Sequence, residues 1–430
     1  MSRRVNSFVL LAAAALIAAA GRQPALSAVE GQQAPVYRSG VQVVEVDARV
    51  FDRDGHFVRT LGRADFEILE DGVPQQIVAM TLVDLLSAVR TPPTFPQPPG
   101  GGPRTVGERP AVAPAGHTWV FFFDLNHLTP GAGFERARKA VEDFIATRFT
   151  QGDLAGVIAG DKMVNNRLTT VREELVAAVK SVKPRDDIRS LAIESTREWP
   201  RFRDNEEALR VARNERDAIA AAVTRACNDD STQCQRAEGE VRSKGQRIAG
   251  LIQNMTMATF NSINAMASGL ARMAGPKTIV FLSDGFVTSG METTLRSIVG
   301  QSARAGARVY AIDVRGLGRG MGSTADQMQT DSPSGSGPRF DSQSDGVNSL
   351  AVDTGGMMIR NENNIGRALD AIAADTNSYY VLGYQPLNTN FDGKYRKIQI
   401  RVKRDGLKVR ARQGYLALEP SKMLKPEPIK

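Results

Sequence analysis

Three short runs constrain the fold more than anything else in this chain. Trp119-Val120-Phe121-Phe122-Phe123, Lys277 to Leu282 and Arg308 to Ile312 are largely apolar, and each gives way to an acid: Asp124, Asp284 (after Ser283) and Asp313. A strand with one wet face alternates apolar and polar residues. An unbroken apolar run belongs to a strand covered on both faces, as in a parallel sheet flanked by helices. Leu154 to Ala159 is a further buried run, and the intervening segments have helical spacing: Phe134 to Phe149 (Phe134, Ala137, Val141, Phe144, Ile145), Val171 to Val182 and Thr293 to Ala305. Strands alternating with crossover helices predict an α/β fold built on a doubly wound, mostly parallel sheet across residues 117–377.

Two segments interrupt this pattern. Residues 186–260 form a charged insert, in which Glu206 to Ala226 and Gln235 to Met273 read as two helices flanking Cys227 and Cys234. Its charges are balanced, 12 positive and 13 negative between Asp186 and Arg247, so a solvated helical hairpin is expected rather than a basic arm. Residues 316–346 are rich in Gly, Ser and Asp and are expected to form a loop.

Outside the central region the pattern becomes β. Val44, Val46, Ala48 and Val50 alternate with Glu45, Asp47 and Arg49, and Phe66 to Leu69 precedes the Asp71-Gly72 turn, so residues 40–84 form a small β module. Residues 85–116 crowd prolines and glycines into a linker. At the other end, Ser378 to Tyr384 is a strand, and Arg396 to Lys403 with Leu407 to Arg412 is expected to form a hairpin about Asp405-Gly406. In that hairpin Arg401, Lys403, Lys408 and Arg410 would share one face, where facing like charges cost stability and an anionic partner would relieve them. The C-terminal strands, 378–416, are expected to pack with the N-terminal module, since each has too few strands to bury a core alone; 417–430 is a tail.

Residues 1–28 have the pattern of a secretory signal peptide: Arg3 and Arg4, an apolar run from Phe8 to Ala20, and small residues for cleavage after Ala20 or Ala28. The run is shorter than the ~20 residues of a membrane span, so export to the periplasm or beyond, with no span in the mature chain, is expected. The formal charge of +8 falls to about +5 once Arg3, Arg4 and Arg22 are set aside, which argues against nucleic acid as a partner. In an oxidising compartment Cys227 and Cys234 are expected to form a local disulfide.

In open parallel sheets ligands gather outside the carboxyl ends of the strands, where the strand order reverses. Asp124 and Asp284 occupy two such ends, and two carboxylates brought together there call for a cation or for hydrogen bonds. A hard ion such as Mg²⁺ or Mn²⁺, held by oxygens, is one resolution. The other is a helix-capping acid and a turn acid satisfied by backbone N–H groups.

Asp124-Leu125-Asn126-His127-Leu128 sits where von Willebrand factor A-type (VWA) domains carry Asp-x-Ser-x-Ser, the opening of their metal-ion-dependent adhesion site, and Ser283-Asp284-Gly285 matches their later Asp-Gly segment. More broadly, the chain resembles VWA-related proteins of the acidobacterial type. The matching stretches are Asp65-Phe66-Glu67 with Glu70-Asp71-Gly72, Phe281-Leu282-Ser283-Asp284-Gly285-Phe286, Ala311-Ile312-Asp313, Thr354-Gly355-Gly356, Tyr379 to Tyr384 and Arg412-Gln413-Gly414-Tyr415. The resemblance spans roughly 40–416 apart from the linker, insert and Gly/Ser loop, and it implies a Rossmann-like VWA fold with a binding rather than catalytic role. It places a metal at Asp124, Asn126 and Asp284, with Thr129 as a further hydroxyl. Asn126 and Leu128 replace the two serines, and Leu128 cannot coordinate. The threonine that VWA domains bring from a second loop has no clean counterpart, because the charged insert occupies that region; Thr256 and Thr259 are weak candidates for it.

Enzyme readings find less support. His56, His117 and His127 are scattered, with no His-Glu-x-x-His pair, and no Gly-x-Ser-x-Gly elbow occurs. The expectation is an exported, non-enzymatic binding protein that recognises a protein or glycan carboxylate at the carboxyl edge of the sheet. The alternative is a metal-free scaffold of the cell envelope acting through the insert or the basic hairpin.

Overall fold

The computed structural model describes residues 43–84, 117–316 and 342–417, apart from positions 151, 274 and 289. The expected signal segment, the linker and most of the tail lie outside the described residues. The described residues belong to one compact unit.

Four strands come first: β1 (Val44–Phe51), β2 (Phe66–Glu70), β3 (Val73–Gln75) and β4 (Ile77–Asp84). The central region follows with β5 (Thr118–Phe123), α1 (Ala132–Arg148), β6 (Leu154–Ala159), β7 (Lys162–Met163) and α2 (Arg172–Ser181). Four more helices lead to the next central strand: α3 (Asp186–Arg197), α4 (Asn205–Ala212), α5 (Arg216–Asp229) and α6 (Ala237–Leu270). Then come β8 (Lys277–Ser283), α7 (Glu292–Arg304), β9 (Ala307–Asp313), α8 (Ser342–Asp353), β10 (Met358–Ile359) and α9 (Ile365–Asn377). The chain closes with β11 (Ser378–Tyr384), β12 (Tyr395–Val402), β13 (Lys408–Ala411) and β14 (Gly414–Leu416).

The central sheet has six strands in the order β10-β9-β8-β5-β6-β7, all parallel except β7. The molecule is thus mixed α/β around a mostly parallel sheet. Strand pleating divides its apolar residues between two layers. Phe121, Phe123, Val280 and Leu282 pack beneath Phe134, Val141 and Ile145 of α1 and Leu369 and Ile372 of α9. Phe122, Ile279 and Phe281 face Phe260, Ile263 and Ala267 of α6 together with Ile298 and Val299 of α7. Burial of both faces is why these strands read as unbroken apolar runs.

The insert departs from expectation. It has four helices and a core of its own, drawn from α4, α5 and α6 with Phe202, in which Phe202, Leu209, Ile219, Val241 and Ile248 are buried; it is not a solvated two-helix hairpin. Gly245 lets α4 and α6 close up, because a Cβ there would lie 2.6 Å from Val211 Cγ1. Charged groups are drawn inside: Glu207, 4% exposed, accepts two hydrogen bonds from Arg225, and Lys244 Nζ donates to the Glu194 and Glu198 carbonyls. The boundary expected at 260 falls inside α6, a single helix whose first half joins the insert and whose second half covers the sheet. Cys227 and Cys234 are joined by a disulfide. The expected loop 316–346 also ends early, since α8 begins at Ser342; Gly346 brings it against Phe286 and Thr288, which a Cβ would strike.

The first and last strands form two antiparallel sheets, β13-β1-β11-β4 and β14-β12-β2-β3. Val46, Ala48 and Val50 of β1 and Tyr380, Leu382 and Tyr384 of β11 face Phe66, Ile68 and Ile398 across a shared core. The expected hairpin of Arg396–Lys403 with Leu407–Arg412 does not exist as a ladder. β12 pairs with β2 and β14, whereas β13 pairs with β1. The chain changes sheet at Asp405-Gly406, so its two arms face different neighbours.

The polar side of β1 is exposed at Glu45 but covered from Asp47 onward. Arg49 is fully buried, with Nε 2.9 Å from the Asp375 carbonyl and 3.2 Å from its Oδ2; Asp47 pairs with Arg308 on β9. Tyr310 donates to Asp375 at 2.6 Å and Arg410 pairs with it. This cluster joins the β strands to the α/β region.

Candidate functional site

Because β6 lies on one side of β5 and β8 on the other, the strand order reverses at the β5–β8 boundary, which opens a crevice at the carboxyl edge. The register pairs Phe123 with Leu282, and Asp124 N–H donates to the Leu282 carbonyl at 3.0 Å. Asp124 therefore stands beside Ser283 on adjacent inner strands.

Asp124 is fully buried and held from several sides. The Thr259 hydroxyl of α6 donates to Oδ1 at 2.7 Å and the Ser283 hydroxyl to Oδ2 at 2.9 Å; His127 Nδ1 is 2.9 Å from Oδ2. The turn after β5 is closed by the His127 and Leu128 N–H groups on the Asp124 carbonyl. Asn126, 3% exposed, donates from Nδ2 to Thr259 Oγ1 at 3.0 Å, and its Oδ1 accepts Arg185 Nη1 at 2.6 Å. Arg185 immediately precedes α3. Its half-exposed guanidinium also binds Asp187, whose hydrogen bond holds the arginine charged above its ordinary range.

Asp284 sits one residue further along and has different company. Its Oδ2 accepts the Thr129 N–H at 2.8 Å, and burial raises its carboxyl above the usual range while Arg315 opposes that rise. Arg315 itself grips Asp313 through two hydrogen bonds of 2.9 and 2.7 Å. Among the described residues Asp124 and Asp284 share no hydrogen-bond partner. The two strand-end acids lie on one crest without forming a common carboxylate pair.

Asn126 turns its amide nitrogen, a donor, toward Thr259, while its oxygen is occupied by a guanidinium cation. Leu128 is fully buried and offers no donor atom. Thr129 engages Asp284 and not Asp124. Each Asp124 oxygen already has protein donors. These arrangements do not fit a divalent ion at Asp124, Asn126, Thr129 and Asp284, and hydrogen bonds with the Arg185 charge occupy the positions coordination would need. The one group of three acid, His or Cys ligand atoms within 4.8 Å of one another among the described residues is Asp52, Asp54 and His56. That group is a local turn in which Asp52 Oδ1 accepts the Asp54 and His56 N–H groups.

Sequence reasoning named Asp124, Asn126, Thr256 and Thr259, and the structure brings these together. It did not name Ser283, His127 or Arg185 as parts of the site. Ser283 was legible as the last residue of an inner strand, and His127 as the i+3 neighbour of Asp124. Arg185 was not, since 59 positions separate it from Asn126. His127 Nε2 lies 3.3 Å from the Thr256 hydroxyl, giving an Asp–His–Thr chain, but Thr256 is fully buried on α6 and offers a substrate no approach.

The basic face disperses. Arg401 is exposed and 3.8 Å from Glu67, Lys403 and Lys408 are exposed, and Arg410 turns inward to Asp375. They do not form one anionic-partner surface.

No protein-family model matches the chain, and no curated protein does. Among solved structures it is similar to an aerotolerance-related membrane protein from Bacteroides fragilis, at 15% identity and a TM-score of 0.32, over 61% of this chain and 98% of that one. BatB from Bacteroides thetaiotaomicron is similar at 13% identity and a TM-score of 0.32, over 60% and 98%. At these scores neither likeness bears on fold or site. Among the described residues, no helix is long and apolar enough to cross a membrane.

Proposed function

We propose that the chain is an exported, non-enzymatic binding protein of VWA type, which recognises an acidic group of a protein or glycan ligand at the crest between β5 and β8. The supporting observation is Arg185. It places a half-exposed guanidinium on the Asn126 oxygen, at the reversal of the sheet, over a carboxylate network already satisfied internally. A planar guanidinium binds a carboxylate through paired hydrogen bonds; Arg185 holds Asp187 in this way, so a ligand acid would take the fork by displacing exposed Asp187, without a resident metal. Arg185 is the residue that leads into the insert, and its partner Asp187 lies in the first turn of α3, so the start of the insert borders the crest. The Cys227–Cys234 disulfide supports an oxidising compartment. The scaffold alternative loses its basic hairpin and retains only the insert.

Affinity capture from the native envelope tests the reading. Wild type is expected to retain its ligand in the presence of chelator, and Arg185→Glu to lose it with the fold intact. Loss of capture on chelation, or a calorimetric Mg²⁺ or Mn²⁺ signal abolished by Asp124→Ala, would restore the metal reading. Unchanged capture by Arg185→Glu would remove the crest.

A further inference from the structure

A cavity of about 330 Å³ lies at the opposite end of the sheet from the crest, where the start of β1, the end of α7, the start of β9 and the C-terminal strands meet. This volume is at the small end of the ~300–1,000 Å³ typical of small-molecule sites. Its wall combines Arg308 and Arg412 with Asp47, Ala303, Leu416 and Val43.

The charges lining it do not balance: Arg304, Arg308 and Arg412 stand against Glu45 and Asp47, three cations to two anions. Arg308, 4% exposed, is accounted for by Asp47 and by the Tyr379 ring 4.4 Å away. Arg412 is not. Its Nη1 and Nη2 donate to the Ala303 and Glu45 carbonyls, its Nε is buried without an acceptor, and no ion pair joins it to a carboxylate among the described residues. Arg412 is half-buried and shares the field of Asp47, which is already paired with Arg308, so an oxyanion supplied from outside would relieve it.

We propose that this cavity binds a small organic carboxylate, its head group on Arg412 and its short apolar body against Ala303 and Leu416. A monoanion matches the single excess positive charge of the lining. A dianionic phosphate would also face Asp47 and Glu45 on the same wall. Val43, 43% exposed, also lines the cavity and offers a place to alter its charge without touching the buried network.

The test is calorimetric titration of the full chain with hexanoate, hexanamide and inorganic phosphate, alongside thermal denaturation. Hexanoate is expected to bind saturably and raise Tm, with hexanamide weaker by about tenfold or more, the worth of a charge-assisted hydrogen bond. Val43→Glu is expected to weaken hexanoate by a similar factor with unchanged circular dichroism, and Arg412→Gln to abolish it. Absence of saturable hexanoate binding at millimolar concentration overturns the proposal. So does equal binding of hexanamide, phosphate binding as tight as hexanoate, or unaltered affinity in Val43→Glu.

Discussion

Replacing Asp375 by Asn removes the single carboxylate shared by two guanidinium groups at the junction of the β strands and the α/β region. Arg49 is 3.2 Å from Oδ2, with side chains 0% and 5% exposed, Arg410 pairs with Oδ1, and Tyr310 donates at 2.6 Å. At that separation, with an effective dielectric of about 20, one such pair is worth roughly 5 kcal/mol of gross attraction. Asn keeps the shape but leaves two buried cations facing each other. Burial already lowers both arginines to about 10, which shows how strongly this environment resists their charge. Breaking a buried pair costs about 3–5 kcal/mol in general, and the shared acceptor places Asp375→Asn at the upper end, near 5 kcal/mol. Arg49 retains the Asp375 carbonyl, so the loss should not exceed that range. Urea unfolding followed by tryptophan fluorescence reads it through Trp119, 6% exposed in the central sheet. Adding Arg410→Met should recover about 1–2 kcal/mol, because the second substitution removes one of the stranded cations. A loss below about 1 kcal/mol, or strict additivity of the two substitutions, would show that the cluster is not held by charge.

His117, 7% exposed, is lowered to about 3 by burial and by Arg308 and Arg49. Between about pH 6.5 and 3 the unfolded chain takes up a proton that the folded chain refuses, so its contribution is full above 6.5 and is lost as pH falls, about 3 kcal/mol by pH 4. His117→Gln should flatten that part of the stability–pH curve, and an unchanged slope would contradict the assignment. Thr259→Val keeps the volume but strips a donor from buried Asp124 and an acceptor from Asn126, and should cost about 3 kcal/mol in denaturant unfolding, with Thr259→Ser restoring most of it. A Thr259→Val protein as stable as wild type would mean that the network does not hold the crest. Exchanging Cys227 and Cys234 for Ser opens a small loop and should lower hydrogen-exchange protection in the insert by about 2 kcal/mol, leaving the central sheet unaffected; equal loss in both would place the disulfide in a wider cooperative unit.

The α/β architecture was legible because a strand buried on both faces has to be apolar at every position, and Phe121, Phe122 and Phe123 carry that requirement in consecutive letters. The acids after these strands were legible because the apolar run breaks at them, but not that Asp124 lies fully buried among hydroxyl donors. Local geometry also placed the Cys227–Cys234 loop and the Asp71-Gly72 turn. Pairing between distant segments was not legible. Alternation in β1 shows that Arg49 and Val50 face opposite ways, but not that a second domain covers the Arg49 side. Leu407–Arg412 reads as the return arm of a hairpin because a turn precedes it, yet β13 pairs with β1 in the other sheet, setting Val409 opposite Val50 and Arg410 opposite Arg49. Likewise Asn126 reads as a weakened metal ligand until α3 delivers Arg185 to its oxygen. Pattern along a chain reports how much of each residue is covered; only the folded arrangement decides by what, and at this crest that choice separates a coordinated ion from a hydrogen-bonded guanidinium.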